Sequence, residues 1–81
     1  MSRTLRSPRH EALRRWLVKD RKGRGLSQAK LAKQIGRYQS FVADLERGQR
    51  RLDVVEFLEL ADALGFDPSK AIRVIARAKS S

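Results

Sequence analysis

The sequence predicts an all-α fold in which five short helices form one compact domain. Apolar residues recur three and four positions apart, which is the spacing of a helix with one buried face. Capping residues and glycines divide the chain into five such segments, and none of these shows the strict alternation of a half-buried strand. A chain of 81 residues is long enough for one hydrophobic core.

The first helix is predicted to follow a basic N-terminal segment. Residues 1–6 are expected to be a flexible arm, and residues 7–79 the folded domain. Ser7 can cap the helix with Pro8 at its first position, where a missing N–H has no cost. Its apolar positions are Leu13, Trp16 and Leu17. We interpret Trp16 as a residue of the core or of its rim.

The second and third helices are short and close together. Ser27 caps the second helix, which Gly36 ends, and the third helix extends from about Gln39 to Arg47. Gly48 is its C-terminal stop. The predicted inner positions of the two helices are Leu31, Ala32, Ile35, Val42 and Leu45.

The fourth and fifth helices begin at acidic caps. Asp53 and Glu56 form a capping-box pair, and Asp67-Pro68 opens the fifth helix. The apolar set of the fourth helix is Val54, Val55, Phe57, Leu58, Ala61 and Leu64. Its solvated acidic row is predicted at Glu56, Glu59 and Asp62. In the fifth helix we expect Ile72 and Ile75 to face inward, which leaves Val74 and Ala78 near the surface.

Charge indicates the class of partner. The net charge is +10, with +7 on residues 1–25 and −4 on residues 54–69. This segregation favours nucleic acid over a membrane, because no long basic amphipathic helix carries exposed Trp or Leu. Cysteine is absent, and the sequence has neither a nucleophile–base pair nor a metal-ligand spacing. We therefore predict a protein that is not an enzyme and needs no metal or cofactor.

The location is predicted from apolar runs. No run is long enough to span a membrane, and the first residues lack the apolar stretch of a secretory signal. We expect a cytoplasmic, nucleoid-associated protein.

Residues 28–47 carry the functional pattern. Two short helices that cross at a tight turn need a small residue for close approach, and Ala32 supplies it. Gly36, four positions later, allows the sharp turn because it tolerates positive φ. The joint spacing of these residues with the inner apolar positions favours a helix-turn-helix formed by the second and third helices.

The sequence resembles the lambda-repressor/Cro-type (XRE) helix-turn-helix family of bacteria and phages. The matching segments are Gly25-Leu26-Ser27-Gln28, Leu31-Ala32, Ile35-Gly36, Gln39-Ser40, Leu45-Glu46-Arg47-Gly48 and Leu58 to Gly65. The resemblance covers roughly residues 12–70. It implies a transcriptional regulator, with repressor favoured over activator, whose third helix reads double-stranded DNA in the major groove.

The resemblance assigns roles to individual residues. Gln39 matches the base-reading glutamine, and a glutamine amide can pair with adenine N6 and N7. Gln28 matches the glutamine that contacts a phosphate and braces the base reader. The next groove-facing positions are Ser40, Ala43 and Asp44. Arg21 and Glu46 match a structural salt bridge between the first and third helices.

Phosphate contacts are expected around the recognition helix. The candidates are Ser27, Gln28, Arg37, Tyr38, Arg47, Gln49, Arg50 and Arg51. Arg3 and Arg6 of the arm are candidates for an adjacent minor groove. Tyr38 replaces the usual Ser or Thr cap, so the third helix is either less well capped there or gains a phosphate contact. Asp44 either accepts from cytosine N4 or is neutralised by Arg37 or Arg47.

A single recognition helix reads too few base pairs to find one site in a genome, so we expect a homodimer on a palindromic operator. The predicted contact residues are Leu64, Phe66, Val74 and Ala78. Three alternatives remain open: an antitoxin, a restriction-modification controller, and a protein-binding adaptor that uses the fourth and fifth helices.

Overall fold

The computed structural model describes residues 7–78, and within that range it contains five helices and no strand. The helices are α1 (Pro8–Gly23), α2 (Gln28–Gln34), α3 (Gln39–Glu46), α4 (Val54–Leu64) and α5 (Pro68–Arg77). The all-α five-helix prediction is confirmed. The predicted arm lies outside the described residues, as does residue 79.

Side-chain caps set four of the five helix starts. The side chains of Ser7, Ser27 and Asp67 accept backbone N–H groups of the first turns of α1, α2 and α5. Asp53 and Glu56 form the predicted capping box at the start of α4. These bonds satisfy donors that a helix start leaves without partners, so short helices begin at defined positions.

The core lies where α2 and α3 pack against α1 and α4. Its central cluster includes Leu31, Ala32, Val42, Leu60 and Leu64, each of which is at most 2% exposed. Partly buried residues surround them, and Trp16 packs edge to face on Phe66 with ring centroids 5.6 Å apart. Trp16 is therefore a rim residue of the core, as predicted. No helix in residues 7–78 is both long and apolar enough to cross a bilayer.

The structure corrects the predicted faces of α3 and α4. The buried stripe of α4 is Phe57, Leu60, Ala61 and Leu64, which omits three residues of the predicted apolar set. Val54, Val55 and Leu58 are exposed, because they lie off the helical stripe that faces the core. Leu60 was missed, and so was Phe41 on α3.

Two corrections concern charge and α5. Glu56 is only 8% exposed, so it does not belong to the predicted solvated acidic row. On α5 the buried residue is Ala71, and Ile72 is 52% exposed rather than inward. Val74 is exposed and Ala78 half-buried, close to the prediction.

The predicted dimer contact is also partly wrong. Leu64 is 2% exposed and belongs to the core. Phe66 is partly buried between the rings of Trp16 and Phe57. Leu64 is therefore not accessible to a partner, whereas Phe66 is partly accessible. Of the predicted contact residues, Val74 is the exposed one.

Candidate nucleic-acid interface

The turn between α2 and α3 has the geometry that its sequence predicts. Gly36 adopts φ +69°, and nothing lies within 4 Å of a Cβ placed there, so conformation rather than space requires glycine. The backbone N–H of Arg37 donates to the carbonyl of Ala32 at 2.9 Å. Ala32 is 2% exposed, as a close helix contact requires. The sequence therefore holds α3 against α2 at a fixed angle.

The N-terminal end of α3 presents the predicted base-reading side chains. Gln39 and Ser40 are exposed, whereas Ala43 and Asp44 are half-buried one turn further along. Tyr38 occupies the N-cap with no side-chain cap bond and is 86% exposed. The structure therefore has no side-chain cap at Tyr38, and a phosphate contact by this residue stays a prediction.

Asp44 is paired within its own helix. Its carboxylate accepts from Arg47, and the two side chains are 40% and 58% exposed. This is one of the two partners that the sequence suggested for neutralising Asp44. The pair leaves no unbalanced negative charge on this face of α3.

Gln39 belongs to a hydrogen-bonded network that reaches α1. Gln39 Nε2 donates to Gln28 Oε1 at 3.4 Å, and Gln28 Nε2 donates to Glu46 Oε1 at 2.8 Å. Arg21 donates two hydrogen bonds to the same carboxylate, from its Nε at 2.6 Å and from a terminal nitrogen at 2.8 Å. Arg21 is 8% exposed, and the hydrogen bond to Glu46 raises the pKa of its guanidinium. The predicted Arg21–Glu46 bridge is present, and Gln28 connects it to Gln39.

A second arginine of α1 holds the other end of α3. One terminal nitrogen of Arg14 donates to the backbone carbonyl of Glu46 at 2.7 Å, and the same side chain pairs with Glu11. At Gly48, φ is +77°, and an added Cβ would lie 3.3 Å from the side chain of Arg14. Sequence reasoning missed Arg14. Its spacing of seven residues from Arg21, two helical turns on one face, was the available signal.

A charged cluster surrounds Phe41 between α3 and α4. The guanidinium groups of Arg37 and Arg50 lie 4.5 Å and 4.4 Å from the centroid of its ring. Both arginines pair with Glu56, at 3.3 Å and 3.1 Å. The hydrogen bond from Arg50 holds the pKa of the Glu56 carboxyl below its usual value, against the opposing effect of burial. Two arginines predicted to contact phosphate thus also connect α3 to α4.

The remaining predicted phosphate contacts lie near the two helix starts and the loop after α3. Ser27 Oγ accepts the backbone N–H of Lys30 at 3.0 Å, which leaves its hydroxyl hydrogen able to donate. Gln49 and Arg51 are exposed. Arg3 and Arg6 lie outside the described residues. Within residues 7–78, no group of three or more His, Asp or Glu side chains could hold a metal ion.

This arrangement of a helix, a glycine turn and a second helix with exposed polar residues at its start defines a helix-turn-helix protein with the fold of DNA-binding regulators. A family model described as a helix-turn-helix domain matches residues 1–71. The chain belongs to this family, and within it to the lambda-repressor/Cro-type (XRE) proteins, as the sequence suggested. Comparison with curated proteins gave no significant match.

Solved structures support the same assignment. An XRE-family like protein from Pseudomonas syringae pv. tomato str. DC3000 is 38% identical, with a TM-score of 0.79 over 84% of this chain and 83% of that one. The restriction-modification controller protein C.AhdI from Aeromonas hydrophila is 39% identical, with a TM-score of 0.68 over 73% and 86%. The clp gene regulator ClgR from Corynebacterium glutamicum shares the fold at 24% identity, with a TM-score of 0.76 over 84% and 72%.

Proposed function

We propose that this protein is a transcriptional repressor that binds a specific DNA sequence by placing α3 in the major groove. The observation that carries the proposal is the position of Gln39, exposed at the first residue of α3 and held by Gln28. A glutamine amide presents a donor beside an acceptor. That pair matches adenine N7 and N6, so Gln39 is the proposed adenine reader.

Neighbouring residues complete the proposed base contacts. Ser40 can donate or accept at a base edge, and the methyl group of Ala43 suits contact with a thymine methyl group. Asp44 can accept from cytosine N4 where the base pair allows it, with Arg47 then turning to a phosphate. These contacts together span about one half-site.

Phosphate contacts fix the register of α3 on the duplex. The proposed set is Ser27, Gln28, Arg37, Tyr38, Arg47, Gln49, Arg50 and Arg51. Arg51 is the most informative of these, because it is exposed and takes no part in the cluster around Phe41 through its side chain. The N-terminal arm with Arg3 and Arg6 is proposed to reach a minor groove nearby.

The test begins with in vitro site selection from random DNA. On the selected operator, Gln39→Ala should weaken binding by roughly 1–3 kcal/mol and relax the preference at one base pair. Arg51→Ala is the matched control and should weaken binding to cognate and random DNA by the same factor. Equal loss on both kinds of DNA for Gln39→Ala would show that Gln39 does not read a base.

We further propose that two copies bind a palindromic operator. The few base pairs that one α3 can read favour this, since a genome presents a vast excess of competing sites. The proposed contact surface is the apolar groove of about 470 Å³ between the start of α4 and α5, which is open to solvent. Val54, Leu58 and Ile72 line it, and they are 73%, 44% and 52% exposed. These residues replace Leu64 and Phe66 in the predicted interface.

The spacing of half-sites tests the dimer. Two rigidly coupled recognition helices require half-site centres about 34 Å, or about 10 base pairs, apart. Inserting five base pairs rotates one half-site by about half a turn. Affinity should fall towards that of a single half-site, and undiminished affinity would contradict the dimer.

A restriction-modification controller is the second candidate function. The 39% identity to C.AhdI, over most of both chains, favours it. The operator returned by site selection separates the two functions. An operator upstream of restriction and methylation genes supports the controller, whereas one that overlaps other promoters and silences a reporter supports the repressor.

A further inference from the structure

Glu46 lies at the meeting point of the scaffold and the base reader. Its Oε1 accepts from two donors, a terminal nitrogen of Arg21 and Nε2 of Gln28, both at 2.8 Å. Gln28 in turn accepts from Gln39 at 3.4 Å. The Glu46 side chain is about as buried as that of Arg21, at 10% and 9% exposure. The carboxylate is therefore fixed in place.

The chemistry of this chain gives each hydrogen bond a direction. An ionised carboxylate only accepts, so Glu46 must face the NH2 end of the Gln28 amide. The oxygen of Gln28 then points to Gln39, which must donate one of its two N–H groups to it. Gln39 keeps its second N–H and its Oε1 for a ligand. That donor and that acceptor are what the N7 and N6 groups of adenine require.

We propose that Glu46 is a positioning residue for base readout, because it sets the direction of the Gln28 amide and through it that of Gln39. This inference rests on the proposed function of Gln39 as an adenine reader. Without the carboxylate, the Gln28 amide can rotate by half a turn and present its NH2 end to Gln39. Gln39 then turns its oxygen inward, and the donor and acceptor facing the base exchange places. The preference for adenine is lost although every residue that touches DNA is unchanged.

The test compares Glu46→Gln with Arg21→Lys. Both variants break the two-bond pair between α1 and α3, but only Glu46→Gln removes the acceptor-only partner of Gln28. The readout is the ratio of Kd values for operators that carry adenine or guanine at the base pair assigned to Gln39. We expect about tenfold or greater preference in the native protein and in Arg21→Lys. In Glu46→Gln the ratio should fall close to one.

A second measurement needs no DNA. The side-chain amide resonances of Gln28 and Gln39 in the free protein should shift together in Glu46→Gln and keep their native positions in Arg21→Lys. Below the unfolding transition this readout reports amide orientation rather than overall stability. The amide resonances therefore test the role of Glu46 independently of DNA binding. The proposed function fails on a different result, which is an equal base preference of the native protein and Gln39→Ala.

Two results would overturn the inference. One is native discrimination by Glu46→Gln with unmoved amide resonances. The other is equal loss of discrimination in both variants, which would assign to Glu46 a purely structural role through Arg21.

Discussion

At the scale of single residues, the ion pair between Arg21 of α1 and Glu46 of α3 is the main contact that positions the recognition helix. Arg21 also donates to the carbonyl of Leu26 at 2.6 Å, so each of its three guanidinium nitrogens donates a hydrogen bond. Removing one member of a buried pair leaves the other charge without compensation, which costs more than the pair contributes as a whole. The pair therefore fixes the position of α3 on α1.

The stability of Glu46→Gln measures this at the residue scale. We expect a loss of about 3 kcal/mol in the free energy of unfolding, seen as a fall of more than about 10 °C in the thermal midpoint. Asp20→Asn is the matched control, because it breaks a pair with Arg24 that is more exposed. The control should change stability by less than about 1 kcal/mol. An unchanged midpoint in Glu46→Gln would contradict a buried pair.

At the scale of elements, the connection between α3 and α4 depends on one carboxylate. Glu56 caps α4, pairs with Arg37 and Arg50, and thereby holds both guanidinium groups against Phe41. Both guanidinium groups lie over the ring of Phe41, whose electron-rich surface attracts cations. The start of α4 and the loop after α3 are thus fixed relative to the recognition helix.

Acid should weaken this connection. The pKa of Glu56 is lower in the folded protein than its ordinary value, so folding stability gains from its ionised form above that value. This stabilisation is lost as the pH falls from about 4.3, the ordinary pKa of a glutamate carboxyl, through the lower pKa of Glu56 in the folded protein. Glu56→Gln should therefore be less stable by about 2 kcal/mol at pH 7 and lose less stability on acidification. Chemical denaturation at several pH values measures both effects.

Glu59→Gln serves as the control on the same helix, since Glu59 is exposed. It should retain the native decline in acid. A Glu56→Gln profile parallel to the native one would show that Glu56 does not contribute to acid sensitivity.

At the scale of the whole molecule, we expect the net charge of +10 to contribute to affinity for DNA. Lys and Arg side chains that neutralise phosphates release condensed cations, so affinity falls as salt rises. With about six phosphate contacts, binding should weaken by about a thousandfold between ~50 and ~200 mM salt. Titrations of operator binding at several salt concentrations measure the slope. A flat titration would exclude phosphate contacts as a main source of affinity.

The proposed dimer surface is also a property of the whole molecule. Ile72→Gln should reduce the cooperativity of binding to a full operator without weakening binding to an isolated half-site, because no residue proposed to contact DNA lines the groove between α4 and α5. Val55→Gln is the control, since Val55 is 65% exposed but does not line the groove. Analytical ultracentrifugation of each variant on full and half operators measures the effect. Equal behaviour of the two variants would place the interface elsewhere.

Local sequence determined the helices and the recognition motif. Ser27, Gly36 and Asp53 act through neighbours within four residues, so caps and turns could be predicted from sequence alone. The spacing of Ala32 and Gly36 likewise predicted the helix-turn-helix. The resemblance to the family supplied Gln28, Gln39 and the Arg21–Glu46 pair.

Only the tertiary structure decided which residues of each helix face the core. Leu64 and Ile72 are both apolar, yet one is buried and the other exposed, because helix packing selects one stripe from an apolar sequence. Glu56 meets Arg37, nineteen positions away, only after α4 has packed beside α3. The bond from Gln28 to Glu46 likewise joins residues eighteen positions apart. Contacts of this kind depend on how helices are arranged in space, which short-range spacing does not encode.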